Sequence, residues 1–383
     1  MDLNNTHQFC MPRLTLFGWG CTTRIGAELK KLQVTKGLLV TDQFMVENGT
    51  AASIIKTIQE QNISAVIYDG VKPDPDTDQV QAGVEQYLVE KCNALISLGG
   101  GSPHDCAKGI KLTLNRMNLP GTVHIPLVAI TTTAGTGSEV TRVTVITDKT
   151  HNIKTVWADD LIVPDIAVDD PALMMGMPPR LTAATGMDAL THAIEAYVSR
   201  ERNPFSECTA IKAIQLIEKY LVRAFNDGRD RQAREGMAYA QYLAGIAFSN
   251  SGLGLAHAVA HPLGGLYGIP HGTACAVMLP YVVTFNQKEA APLYAEIAWF
   301  MKNAASYLPE KQAARIFRRH LLELNQQLAM PVNLRQLDVN PADFPGLAEK
   351  ALQDMTFSSN PRPATAAQII KIYQNAYEGG LIG

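Results

Sequence analysis

The chain has 383 residues, 46% of them hydrophobic and 18% charged, with a formal net charge of −3. That length predicts about two or three domains with ample apolar material for their cores. A near-neutral balance with no long Lys/Arg run argues against nucleic acid or a membrane surface as partner, and no apolar stretch is long enough to span a bilayer.

The opening Met1-Asp2-Leu3-Asn4-Asn5 has neither a basic start nor an apolar core, so no signal peptide is expected. The first strand pattern covers 37–42, an apolar run that ends in Asp42. Helical apolar spacing follows over 51–61. A second strand is expected at 64–69 and a helix over 77–91. A third strand, 94–98, runs into Gly99-Gly100-Gly101-Ser102-Pro103, and a fourth, 125–131, runs into Thr132-Thr133-Ala134-Gly135-Thr136. Continuous apolar strands alternating with helices predict a parallel sheet covered on both faces.

Beyond Pro178-Pro179 strand-like runs nearly vanish, and helices are expected at 181–200, 204–226, 231–248, 273–286, 309–330 and 364–379. The expected architecture is an α/β domain over 1–178, with a Rossmann-like parallel sheet, followed by an all-helical domain over 179–383. The proline pair suits the junction, because proline stops one element and fits the first turn of the next helix. Six cysteines lie scattered with no Cys-x-x-Cys pair. They suggest a reducing compartment, with the cytoplasm as the default.

A buried strand that ends in glycines and opens a helix suits phosphate. The glycines let backbone approach an anion, and the helix N-terminus offers unpaired N–H groups. A tight turn without a ligand produces the same run, and the spacing departs from Gly-x-Gly-x-x-Gly. The threonines after the fourth strand add hydroxyls at the carboxyl edge, where open α/β sheets bind ligands. Asp42 reaches the same edge. A carboxylate there accepts from ribose hydroxyls and repels a 2′-phosphate, which favours NAD over NADP. Asp42 also reads as an ordinary turn or N-cap residue.

In the second half, Asp188 and His192 stand at i and i+4 of a helical segment, on one face. His257, His261 and His271 follow within an otherwise apolar stretch, where unpartnered histidines are costly. A divalent ion resolves that cost, and so do hydrogen bonds inside a core. Imidazoles with one carboxylate suit Fe(II) or Zn(II), and no thiolate is obviously placed to join them.

With these residues in hand, the chain resembles the iron-containing (group III) alcohol dehydrogenases over 12–377. The resemblance looks closest to the branch holding lactaldehyde reductase and 1,3-propanediol dehydrogenase. It is carried by the stretches 98–108, 132–141, 182–197 and 257–272. The resemblance implies a dehydroquinate synthase-like architecture: a dinucleotide-binding α/β domain and a helical domain, with the active site in the cleft between. It implies that Asp188, His192, His257 and His271 bind the metal, Fe(2+) or another divalent ion such as Zn(2+). It implies NAD contacts from Asp42, Gly99, Gly100, Gly101, Ser102, Thr132, Thr133, Thr136, Thr141 and Lys154. His261 is implied to be a non-ligand near the nicotinamide, serving as proton carrier or as an orienting group.

Two departures stand out. Relatives carry Pro-Asn-Pro where this chain has Pro73-Asp74-Pro75, which puts a carboxylate, Asp74, near the nucleotide. The connection between 112 and 125 looks about ten residues shorter than in relatives, an ordinary short link. The expected function is metal-dependent hydride transfer between NAD(H) and a small primary alcohol or diol, or its aldehyde, by a homodimer or larger homo-oligomer. Phe248, Leu253 and Val143 are expected to line the substrate cleft. The alternative is a metal- and NAD-dependent lyase of the 3-dehydroquinate synthase type. It needs basic residues around the metal that the ligand segments lack.

Overall fold

The computed structural model describes residues 6–117, 124–149, 153–301 and 308–379. The chain divides into two compact units, Cys10–Gly176 and Met177–Gly383, the second joined by the start of the chain up to Phe9.

The first unit is built on strands β1 (Leu14–Phe17), β2 (Lys36–Val40), β3 (Ser64–Tyr68), β4 (Ala94–Gly99), β5 (Leu127–Thr131), β6 (Val143–Asp148), β7 (Ile153–Ala158) and β8 (Ile166–Asp169). Six of them form one sheet in the order β1-β8-β5-β4-β2-β3, and every pairing in it is parallel. Helices α1 (Ile25–Lys31), α2 (Gln43–Glu47), α3 (Thr50–Gln59), α4 (Thr77–Val89) and α5 (Gly101–Arg116) connect the strands. Alternation along the strands sorts the core into two layers. Leu39, Ile96 and Val128 pack with Ile25, Leu29, Ile54 and Ile58 of α1 and α3. Leu38, Val40, Leu95 and Leu127 pack with Val84, Tyr87, Ile110 and Leu114 of α4 and α5. All residues of β4 and β5 are buried, which is why both read as unbroken apolar runs.

The parallel sheet covered on both faces is as expected, but several strands exceed the sequence reading. β1, β8 and the antiparallel β6–β7 hairpin carry no expectation from the sequence. β1 and β8 have four residues each, too short for periodicity to register. The strand expected at 37–42 stops at Val40, because Asp42 leaves it to cap α2, accepting a hydrogen bond from Met45 N at 3.0 Å. Part of the 112–125 connection, 118–123, lies outside the described residues; α5 itself runs to Arg116.

The second unit is helical: α6 (Pro179–Val198), α7 (Pro204–Asn226), α8 (Arg231–Ser249), α9 (Leu255–Tyr267), α10 (His271–Phe300), α11 (Glu310–Gln327), α12 (Phe344–Gln353) and α13 (Ala366–Glu378). Pro179 occupies the first turn of α6, as the sequence suggests. Asn203 and Ser206 form a reciprocal capping box on α7, and Thr365 does the same with Gln368 on α13. α10 runs past the expected end at 286 and breaks at Ala290, whose φ of −118° is non-helical, two residues before Pro292. No helix among the described residues is long and apolar enough to cross a membrane.

One buried cation braces the end of the sheet. Lys108 of α5 is fully buried and donates to Ser138 Oγ (3.1 Å), Thr141 Oγ1 (2.8 Å) and Val143 O (2.8 Å). Burial pushes its ammonium down to about 8, against the opposing influence of Asp105 and Glu139. Replacing it by an apolar side chain of similar length strands three acceptors. Lys108→Met is therefore expected to lose about 1–3 kcal/mol of stability, read as a lower urea midpoint. An unchanged midpoint would show that the clamp is dispensable.

Candidate active site

At the carboxyl edge of the sheet, the three glycines are packed by threonines and a proline. Gly99 has φ of +143°, and a Cβ there would sit 2.6 Å from Pro103 Cγ. Cβ atoms on Gly100 and Gly101 would meet Thr133 Cγ2 at 3.2 Å and Thr136 Cγ2 at 3.1 Å. Thr132 N donates to Gly99 O at 2.9 Å, so the β4 and β5 loops are stitched into one surface. Ser102 lies in the first turn of α5, beside the orphan N–H groups of that helix. Thr136 Oγ1 accepts from Ser138 N at 3.2 Å, and Thr141 is buried on Lys108. Asp74 takes the left-handed conformation, with φ of +56°. Asn and Asp are the side chains that tolerate it best, which accounts for either at this position. Lys154 lies on β7 opposite Thr147, and its side chain falls outside the described residues.

The helical unit gathers the expected ligands. Asp188 and His192 leave α6, His257 and His261 leave α9, and His271 opens α10. Around Asp188 Oδ1 stand His271 Nε2 at 3.3 Å, His192 Nε2 at 3.8 Å and His257 Nε2 at 3.9 Å. Donors bonded at ~2.1 Å to a four-coordinate ion stand roughly 3.4 Å apart, so this spacing suits a small cation. Burial alone would raise the Asp188 carboxyl, yet the imidazoles of His192, His271 and His257 hold it well below the ordinary carboxylate range.

The approach of the helices is fixed by backbone. A Cβ on Gly272 would lie 2.1 Å from Ala184 O, so the first turn of α10 rests directly on α6. A Cβ on Gly254, at the N-cap of α9, would come 2.8 Å from Glu195 Oε1. Glu195 is buried and fills the space so left. It accepts from Gly254 N at 2.9 Å and Ala256 N at 2.6 Å, and its Oε2 lies 2.6 Å from His257 Nδ1. That carboxylate makes Nδ1 the donor and turns the lone pair of Nε2 toward Asp188.

The cluster fits a divalent ion. Asp188 Oδ1 and His257 Nε2 are buried and make no hydrogen bond among the described residues, an arrangement that costs about 1–3 kcal/mol per group unless something satisfies them. Oxygen and imidazole donors suit Fe(II) or Zn(II). The sequence reading saw no thiolate obviously placed beside them, but one stands close by. Donor atoms of Asp188, His257, His271 and Cys275 all lie within 4.8 Å of one another, while His192 flanks that set beside Asp188. Cys275 stands four residues after His271, a spacing that in a helix returns to the same face.

His261 borders the cluster, its ring stacked on His271 at 5.2 Å between centroids. Its Nδ1 lies 2.6 Å from Asp354 Oδ2, and Asp354 Oδ1 accepts from Thr356 N and Oγ1. Phe248 stacks on His192 at 4.4 Å and is buried, which gives the cluster an apolar wall.

Comparison with known proteins places this arrangement. The family model for iron-containing alcohol dehydrogenase matches residues 12–171, and that for the C-terminal part of the Fe-containing alcohol dehydrogenase family matches 182–377. The chain belongs to the iron-containing alcohol dehydrogenases. It is 41% identical to NAD-dependent methanol dehydrogenase of Bacillus methanolicus over 377 residues, covering 96% of this chain and 99% of that protein. It is 40% identical to 1,3-propanediol dehydrogenase of Citrobacter freundii over 380 residues, covering 96% and 98%. A crystal structure of 1,3-propanediol oxidoreductase superposes with a TM-score of 0.94 at 39% identity, covering 97% of this chain and all of that one.

Within this iron-containing alcohol dehydrogenase, Glu195 and Asp354 are site residues that sequence reasoning did not find. Glu195 lies one turn beyond His192 on α6, so its position carried a helical signal. Asp354 carried none, being 93 residues from His261. Partners that orient ligand imidazoles weaken metal affinity by about 10- to 100-fold when altered. Glu195→Gln is expected to do the same, measured by competition with a metal chelator. Unchanged affinity would leave Glu195 as a helix cap alone.

Proposed function

We propose that the chain catalyses hydride transfer between NAD(H) and a small primary alcohol or diol, or the corresponding aldehyde. The observation that carries this reading is the ring of three imidazole nitrogens around Asp188 Oδ1, in a member of the iron-containing alcohol dehydrogenases. Asp188, His192, His257 and His271 would hold a divalent ion, Fe(2+) or Zn(2+). The turn Gly99–Ser102, with Thr132, Thr133 and Thr136, would hold the dinucleotide at the strand ends, where open α/β sheets take such ligands. Asp42 at the same edge supports NAD rather than NADP. Thr141 would act from behind, through Lys108. Bound NAD supplies the hydride acceptor, and a bound divalent ion supplies Lewis acidity toward an alcohol oxygen.

The protein's own groups do the rest. With Nδ1–H donated to Asp354, His261 offers the lone pair of Nε2 to the proton released on alcohol oxidation, and returns it in the reverse direction. Phe248 against His192 gives the cluster an apolar wall that would favour a short substrate. 1,3-Propanediol and methanol, named for the two relatives, belong to that class. The lyase reading is not favoured, since these relatives are alcohol oxidoreductases. Six free cysteines, Cys208 exposed among them, support a cytoplasmic setting. A homodimer or larger homo-oligomer would cover the exposed Phe205, whose ring lies tilted against Phe9 at 5.1 Å between centroids.

Chelation should abolish NADH oxidation with a short aldehyde, and Fe(II) or Zn(II) should restore it. His257→Ala should lose metal content and turnover together. Full turnover in a metal-free preparation would refute the reading.

The acid side of the pH profile tests His261. Burial pushes its imidazole below the ordinary value, while Asp354 opposes that shift. Alcohol oxidation needs the neutral ring, so activity is present above the imidazole pKa and is lost as pH falls through it. Asp354→Asn removes the opposing charge and lowers the pKa further. The acid limb of kcat/KM should move to lower pH while the plateau falls by about 10-fold or more. A limb that stays in place excludes His261 as the proton carrier.

A further inference from the structure

The cluster contains one more donor than the four assigned above. Cys275 is fully buried on α10, on the same helix face as His271, and its Sγ lies 3.7 Å from His271 Nε2. Its sulfur also lies within 4.8 Å of the donor atoms of Asp188 and His257. Two of those atoms, Asp188 Oδ1 and His257 Nε2, are buried without a hydrogen bond among the described residues. Sulfur bonded at ~2.3 Å and nitrogen at ~2.1 Å as neighbours on one five-coordinate ion stand roughly 3.1–3.8 Å apart, a span that contains the Cys275–His271 separation.

We propose that Cys275 is a direct sulfur donor to the divalent ion, and that it tilts the site toward thiophilic ions such as Zn(II) and Co(II) over Fe(II). The proposal rests on reading the cluster as a metal site. Coordination forms a sulfur–metal bond and breaks the S–H bond, with the proton passing to solvent and no change of oxidation state. A thiolate adds a soft donor to a set otherwise made of imidazole and carboxylate, and softness is a principal means by which sites of equal charge discriminate among first-row ions. Proximity to His271 alone would make Cys275 a small apolar neighbour with a weak S–H donor. The two roles differ in what the metal's spectrum shows.

The test uses the full-length protein loaded with Co(II). Wild type should show cobalt d–d bands together with a near-ultraviolet thiolate-to-cobalt charge-transfer band. Cys275→Ser and Cys275→Ala should keep the d–d bands, lose the charge-transfer band, and bind Zn(II) about tenfold more weakly with little change for Fe(II). Cobalt d–d bands in wild type with no charge-transfer band would overturn the proposal without any variant being needed. Retention of the charge-transfer band in both variants would overturn it as well. Absence of every cobalt band in wild type would overturn the metal-site reading itself.

Discussion

A single buried carboxylate ties together α6 and α9, two of the three helices that carry the histidine cluster. Glu195 projects from α6, the helix that also carries Asp188 and His192, and accepts from the first backbone N–H groups of α9. α9 has no side-chain cap of its own, since Gly254 occupies that position. The orphan donors of one helix are thus satisfied by a charge from another, where the helix dipole favours it. The same carboxylate sets the tautomer of His257. Backbone capping, helix packing and the orientation of the His257 imidazole are coupled through one side chain. A charge in the interior is tolerated because strong donors surround it.

Much of this was legible in the sequence because helical spacing is local. Asp188 and His192 at i, i+4 declared a shared face, and the apolar setting of His257 and His261 made unpartnered imidazoles costly. His271 was legible as part of the same group, although its place at the head of a separate helix was not. The long-range partners were invisible. Asp354 meets His261 across 93 positions, and nothing in its neighbourhood marks it. Cys275 had the right spacing from His271 but looked like core, which is what most buried cysteines are. In the α/β unit, β4 and β5 announced themselves because both faces are covered. The short strands β1 and β8 did not, and the strand order depends on crossovers that no local pattern encodes.

The dinucleotide end illustrates how one residue serves two demands. Asp42 caps α2, and the glycines of the 99–101 run leave room for Thr133, Thr136 and Pro103. Either fact would account for those residue types in a protein that bound nothing. The same glycines carry no side chain at the first turn of α5, where orphan N–H groups suit an anion. Structural necessity and ligand recognition favour the same residues here, which is why a glycine run alone is weak testimony to function.

The contact of Gly272 on Ala184 has a wider reach. Because α10 meets α6 hydrogen against carbonyl, the separation of their donors is set by main chain and is indifferent to the bulk of neighbouring side chains. Side chains that do not touch the cluster can then be exchanged for smaller or larger ones with the spacing of α6 and α10 undisturbed. A scaffold of that kind lets substrate preference drift among short alcohols while the chemistry at its centre is retained.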